Sequence, residues 1–198
     1  MGTASSTFVV AVFSYLIGTA VAGYYLTYWR TGRDLRDIGS GSAGARNAAR
    51  VLGSKHGVLV FSWDFAKGMI ATYLTITMQG NELYSGVAAT AVVLGHVWPV
   101  QLRFHGGKGV APAAGALIVW QPAVLAVVAI AYLTASLASQ KVGKNALFAF
   151  TVGILLSPVM VKSAQAAAFC IVILAILCWT HRHGLLKRDE RSGQGGIQ

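Results

Sequence analysis

Long apolar stretches alternate along the chain with short segments rich in glycine and basic residues. Crossing the hydrocarbon layer of a membrane takes roughly 20 apolar residues in a helix. Thr7 to Trp29 meets that length without one charged residue. No Lys or Arg precedes it, so it lacks the basic region that opens a cleaved signal peptide and reads as a retained first helix. A polar, glycine-rich stretch follows from Arg30 to His56. Gly57 to Met78 is apolar but carries Asp64 and Lys67, and Leu83 to Leu102 forms a third span. The run from Val110 to Ser139 is interrupted by Gln121-Pro122. A proline ring removes a helical donor and clashes with the preceding turn, so two short helices are predicted there. Ala146 to Val161 and Ala164 to Thr180 complete the set, and a polar tail runs to Gln198. Its Ser192-Gly-Gln-Gly-Gly segment is expected to be disordered. Neither strand alternation nor an internal repeat is visible in the pattern.

The pattern predicts an all-α polytopic membrane protein: one transmembrane domain over residues 1–198, seven helices, and a cytoplasmic tail over 181–198. Basic residues concentrate in cytoplasmic loops, which sets the orientation. With the N-terminus outside, the inner loops hold Arg30, Arg33, Arg36, Arg46, Arg50 and Lys55, then Arg103 and Lys108, then Lys141 and Lys144. The tail adds Arg182, Lys187, Arg188 and Arg191, which brings 14 of the 16 cations inside. Lys162 falls outside and Lys67 within a span. A single helix over Val110 to Ser139 would move the later cations outside, so proline and charge agree on seven spans with the C-terminus in the cytoplasm.

Composition narrows the class. The chain is 55% hydrophobic and 11% charged, against about a quarter charged in soluble domains. A net charge of +10 could suit nucleic acid, but the cations lie between the apolar runs and fit cytoplasmic loops and anionic lipid headgroups better. No nucleic-acid partner is expected. Cys170 and Cys178 share one apolar run without C-x-x-C spacing, so neither a disulfide framework nor a zinc site is supported.

Three polar segments carry candidate chemistry. The first loop reads Gly39-Ser40-Gly41-Ser42-Ala43-Gly44-Ala45-Arg46-Asn47, with Arg50 behind it. Closely spaced glycines let backbone N–H groups converge into a concave nest, which hydroxyl and guanidinium groups complete as an oxyanion site. The competing reading is a flexible loop of small residues. The second segment holds Gly95-His96-Val97-Trp98-Pro99 and Gly106-Gly107-Lys108-Gly109. Gly-Gly-Lys-Gly at a helix start offers N–H groups, the positive end of the helix dipole and a point charge, which suits a phosphate monoester. It is not a Walker loop: Leu102 stands where the first Gly belongs, and Gly109 replaces the magnesium-binding Ser or Thr. Otherwise Lys108 is an interfacial snorkelling lysine. Asp64 and Lys67 share one helix face, either as a structural ion pair or as part of a site. His96 is a buried, hydrogen-bonded histidine or a proton shuttle. The third segment is His181-Arg182-His183 at the inner end of the last helix. A basic juxtamembrane tail is the plain reading, and no carboxylate or cysteine is spaced to complete a metal site.

Together these segments resemble the acyl-phosphate-dependent glycerol-3-phosphate acyltransferases of bacterial membranes, the PlsY family. That family carries a GSGN-x-GATN loop, a GH-x-x-PV…GGKG loop and a terminal HREN segment. Here they stand as Gly39-Ser-Gly-Ser-Ala-Gly-Ala-Arg-Asn47, Gly95-His-Val-Trp-Pro-Val100 with Gly106-Gly-Lys-Gly109, and His181-Arg-His-Gly184. Asp64-Phe-Ala-Lys67-Gly68 resembles the family's D-F-x-K-G helix. The resemblance implies a multi-pass protein of the bacterial inner membrane, its active site facing the cytoplasm, working as a monomer with no cofactor or metal. It implies acyl phosphate and glycerol 3-phosphate as substrates and lysophosphatidic acid as product. The catalytic set it implies is Ser40, Arg50, Lys108 and His181. The phosphate-binding set is Gly39, Gly41, Ser42, Gly44, Arg46, Asn47, Lys67, His96, Gly106, Gly107, Gly109 and Arg182. No base is paired with Ser40, so direct attack by the acceptor hydroxyl, with a substrate phosphate helping to take its proton, is preferred over a covalent intermediate. Three departures stand out: Ser42 replaces Asn, Arg46 replaces Thr, and His183-Gly184 replaces Glu-Asn. Other readings are acylation of another anionic acceptor, or a non-enzymatic transporter or binder of phosphorylated lipid or polyol. Broken helices at the membrane midplane would favour the last.

Overall fold

The structure, a computed structural model, describes residues 3–139, 141–161 and 163–186, side chains of 183–186 excepted. The described residues are helical, without strands: α1 (Thr3–Thr19), α2 (Ala22–Thr31), α3 (Ala45–Leu52), α4 (Ser54–Gln79), α5 (Glu82–Val97), α6 (Val110–Trp120), α7 (Pro122–Ala138), α8 (Val142–Leu155), α9 (Ser157–Met160) and α10 (Ala164–Leu186). Short 3-10 turns occupy Leu35–Asp37 and Val100–Leu102. Three stretches are long and apolar enough to cross a membrane: Thr3–Thr31 taken through its break, Glu82–Leu102 and Ala164–Arg182. Large apolar side chains such as Phe8, Tyr73, Leu133 and Val159 point outward. That is affordable in lipid, where helices satisfy their own backbone polar groups.

α5 is the central helix, buried on most faces and packed by α1, α4, α6 and α10. Its approach to α1 is through glycine. A Cβ on Gly95 would fall on the carbonyl oxygen of Tyr15 and 3.1 Å from the Cα of Gly18. α4 and α6 meet in the same way at Gly68 and Gly115, where a Cβ on Gly68 would strike the Pro112 carbonyl. The first turn of α6 therefore packs at the middle of α4, with Gly107 and Gly109 of the loop before it buried.

The predicted run from Val110 to Ser139 divides at Gln121-Pro122 into α6 and α7. Pro122 starts α7, where its missing N–H costs nothing. Three expectations need correction. The single helix over Thr7 to Trp29 is broken at Ala20-Val21 into α1 and α2. The carbonyls freed there are taken by side chains: Gly18 O and Ala20 O accept from Lys67, Thr19 O from Gln101 (2.6 Å), and Ala20 O also from Trp63 (3.1 Å). The polar stretch Arg30 to His56, predicted without a helix, holds α3. It exists through packing, with Gly57 of α4 placed so close that a Cβ would meet Ala49, and Leu35, Ala48 and Val60 buried together beneath it. The helix expected over Ala146 to Val161 begins earlier and divides into α8 and α9. The segment expected to be disordered, from Ser192, lies outside the described residues.

Candidate active site

The first loop takes its shape from a buried amide. Asn47, 1% exposed, accepts the N–H of Ser40 at 2.9 Å and donates to Leu35 O (2.9 Å) and Ile38 O (2.8 Å). Its amide is thereby occupied by the loop. Gly39 and Gly41 stand at φ +65° and +71°, which glycine adopts without Cβ strain. Gly44 ends the loop as the N-cap of α3 and brings no capping side chain. The first-turn N–H groups beside it, including those of Ala45 and Arg46, are therefore open to an anion.

The second loop folds back onto the end of α5. Gly106 N–H donates to Val97 O (3.0 Å) and Gly107 N–H to His96 O (3.1 Å), so these two donors close α5 and are not bare, as the sequence suggested. The open donors are the N–H groups of Lys108, Gly109, Val110 and Ala111, which take no part in the loop's own backbone pairing among the described residues. Gly109, at φ +86°, is the N-cap of α6 and again supplies no side-chain cap. Two helix starts, α3 and α6, thus present uncapped positive ends in one region.

Several contacts join the segments. Ala43 N–H donates to Gly106 O (3.3 Å). Arg36 donates through Nη1 to Leu102 O (2.6 Å) and His105 O (3.2 Å) while paired to Asp34 at 2.6 Å. Thr180 Oγ1 donates to Lys108 O (3.0 Å), tying α10 to the loop. His181 is buried, its Nδ1 2.8 Å from Leu177 O, which leaves Nε2 as the second ring nitrogen. Neither Arg36 nor Thr180 was singled out from the sequence. Arg36 was one cation among many in a basic loop, and Thr180 only marked the end of a span.

Lys108 is brought near Arg46 and Arg50. Burial pushes its ammonium below the ordinary lysine range, and those two guanidiniums push it further the same way. These three cations form no ion pair among the described residues. The Arg46 guanidinium also reaches α8, with Nη1 3.3 Å from where a Cβ of Gly143 would stand. Ser40 is exposed on the loop. Arg182 lies elsewhere: it stacks 3.8 Å over the Trp179 ring and donates to Trp179 O at 2.8 Å. The side chain of His183 lies outside the described residues. Asp64, Lys67 and His96 form a separate buried cluster below the second loop, with Lys67 Nζ 2.9 Å from both Asp64 Oδ1 and His96 Nδ1.

A region that gathers three unneutralised cations and two open helix starts is built for phosphate oxygens. The family model for glycerol-3-phosphate acyltransferase matches residues 8–188. The chain belongs to the glycerol-3-phosphate acyltransferase family. A glycerol-3-phosphate acyltransferase of Myxococcus xanthus is 33% identical over 92% of this chain and 96% of its own length. One from Thermoanaerobacter pseudethanolicus is 35% identical over 88% of each chain. Among solved structures, PlsY (YgiH), an integral membrane glycerol 3-phosphate acyltransferase, in its glycerol 3-phosphate form is 32% identical. It superposes with a TM-score of 0.86 over 98% of this chain and 96% of that one. Its lysophosphatidic acid form is 30% identical with a TM-score of 0.82, over 94% and 93%.

Proposed function

We propose that this chain transfers an acyl group from acyl phosphate to the 1-hydroxyl of glycerol 3-phosphate, giving lysophosphatidic acid and inorganic phosphate. The observation that carries the reading is the convergence of Arg46, Arg50 and Lys108 with the open N-termini of α3 and α6. Both substrates bear phosphates, and such a face can hold two anions side by side. The acceptor oxygen attacks the acyl carbonyl carbon, the carbon–oxygen bond to phosphate breaks, and phosphate leaves with the electron pair. A substrate phosphate oxygen receives the hydroxyl proton. Arg50, Lys108 and Ser40 bind and polarise phosphate oxygens, and His181, beside Lys108, completes the wall. Because acyl phosphate is already activated, stabilising the developing oxyanion and the leaving phosphate supplies the catalysis.

The same proposal includes the topology: seven spans, the N-terminus outside, the site at the cytoplasmic face of a bacterial inner membrane, and a monomer. Its support is the one-sided placement of cations and a set of site groups drawn from one chain. The broken first span is the feature that would suit a transporter. Its freed carbonyls are occupied by Lys67, Gln101 and Trp63, which favours the enzyme.

The test is purified protein in detergent, given acyl phosphate with glycerol 3-phosphate or other phosphorylated polyols, with products followed by mass spectrometry. Lysophosphatidic acid and phosphate in equal amounts are expected. Folded protein that acylates none of them would defeat the proposal, and a preference for another acceptor would redirect it. For the topology, a cysteine placed at Gly44 should label only from the cytoplasmic side.

A further inference from the structure

Lys67 has no proton left for a substrate. Its side chain is 4% exposed and its ammonium meets four partners: Gly18 O at 2.8 Å, Ala20 O at 3.0 Å, Asp64 Oδ1 at 2.9 Å and His96 Nδ1 at 2.9 Å. An ammonium carries three N–H bonds, so these partners exhaust it. The nearest of them to the phosphate region is His96, itself 2% exposed. With Nδ1 facing the Lys67 ammonium as acceptor, the proton of the neutral imidazole sits on Nε2. That nitrogen faces Gly107 so closely that a Cβ there would fall upon it. The backbone of the same histidine takes the Gly107 N–H, and Val97 takes that of Gly106. Gly106 O in turn holds Ala43 of the first loop.

Building on the acyltransferase reading, we infer that Lys67, compensated by Asp64, is a positioning residue that sets the Gly106–Gly107–Lys108 loop through His96 and ties it to the broken first span. Asp64 Oδ1, 2.9 Å from Lys67 Nζ, compensates the ammonium that in turn meets His96 Nδ1 at 2.9 Å. The cluster fixes ring orientation and tautomer, the ring fixes the depth of the glycines, and the glycines fix where Lys108 and the start of α6 stand. A structural ion pair alone would need none of the last three contacts.

The experiment separates these two roles. Removing Lys67 alone leaves a buried carboxylate uncompensated, so the informative variant removes both charges, Asp64→Asn with Lys67→Met. It is expected to fold at the assay temperature with a lowered melting temperature, because Gly18 O loses its donor, and to show a KM for glycerol 3-phosphate raised tenfold or more with a smaller change in kcat. A folded double variant with parental KM would overturn the inference and leave only an ion pair. Should the double variant not fold, His96→Leu keeps the ion pair and removes the link. It is expected to raise KM in the same way, and parental KM there would equally overturn it. Glycerol 3-phosphate binding measured by calorimetry without acyl phosphate runs in parallel. An inactive parent that binds it, with binding weakened in the variants, would refute the acyltransferase reading while upholding the positioning role.

Discussion

Asn47 fixes Ser40: its buried amide oxygen accepts the Ser40 N–H at 2.9 Å while its two N–H bonds hold the carbonyls of Leu35 and Ile38. Asn47→Leu would strand these groups, and each buried unsatisfied one costs about 1–3 kcal/mol. A lower melting temperature and strongly reduced lysophosphatidic acid formation are expected. Asn47→Asp keeps an acceptor for Ser40 but turns a carboxylate toward two carbonyl oxygens, so it should be destabilised as well. A parental melting temperature in Asn47→Leu would show that the loop does not rest on this residue.

Lys108→Met removes a charge while leaving the backbone carbonyl that Thr180 holds. A charge-assisted contact is worth about 1.5–3 kcal/mol, which corresponds to roughly a ten- to hundredfold rise in KM for glycerol 3-phosphate. Steady-state kinetics on folded protein decides it. Unchanged KM would return Lys108 to the interfacial lysines that merely reach for headgroups.

The like charges around Lys108 predict a pH signature. Its ammonium binds phosphate only while protonated, and its pKa lies below the ordinary lysine range because of burial, Arg46 and Arg50. Affinity should therefore fall at a lower alkaline pH than a solvent-exposed lysine would give. Arg46→Thr takes away one repelling charge, so the alkaline limb of the KM profile should move to higher pH. The stability sign runs the other way. Between the lowered pKa and the unfolded value the native state holds fewer protons, so the contribution of Lys108 to stability improves as pH rises through that window. Below it the full repulsion is present, and Arg46→Thr should raise the melting temperature of substrate-free protein at neutral pH. An alkaline limb that does not move in Arg46→Thr would rule out the coupling.

Gly95→Ala should weaken the fold at the crossing of α1 and α5. The new methyl would meet the Tyr15 carbonyl and the Gly18 backbone, which cannot turn aside as a side chain can. Overpacking of this kind costs about 1–3 kcal/mol, and prying α1 from α5 would also draw Gly18 O away from Lys67. Gly80→Asn is the control: Gly80, at φ +60°, has nothing nearby, and asparagine tolerates that conformation. Equal melting temperatures for the two variants would contradict the crossing.

The amino-acid pattern alone determined the helical membrane body. Burial in lipid is decided within about 20 consecutive residues, so apolar run length is legible locally. Gln121-Pro122 announced the division of α6 from α7 for an equally local reason, since a proline acts on the turn before it. The three polar segments were readable because each is short and contiguous. Tertiary structure alone decided where the first span breaks: the carbonyls freed around Ala20 find donors 43 to 82 residues further along the chain, and no local signal marks them. It also decided that α3 is a helix, since eight residues hold that form through contact with α4 rather than by their own propensity. The glycines of the second loop looked like phosphate donors in sequence, yet Gly106 and Gly107 give their N–H groups to α5, because the loop doubles back. Arg182 likewise turned to its own Trp179 ring. Periodicity in a chain reports which faces are apolar, whereas the partner of each polar group depends on which helices meet, and that is settled only when the bundle packs.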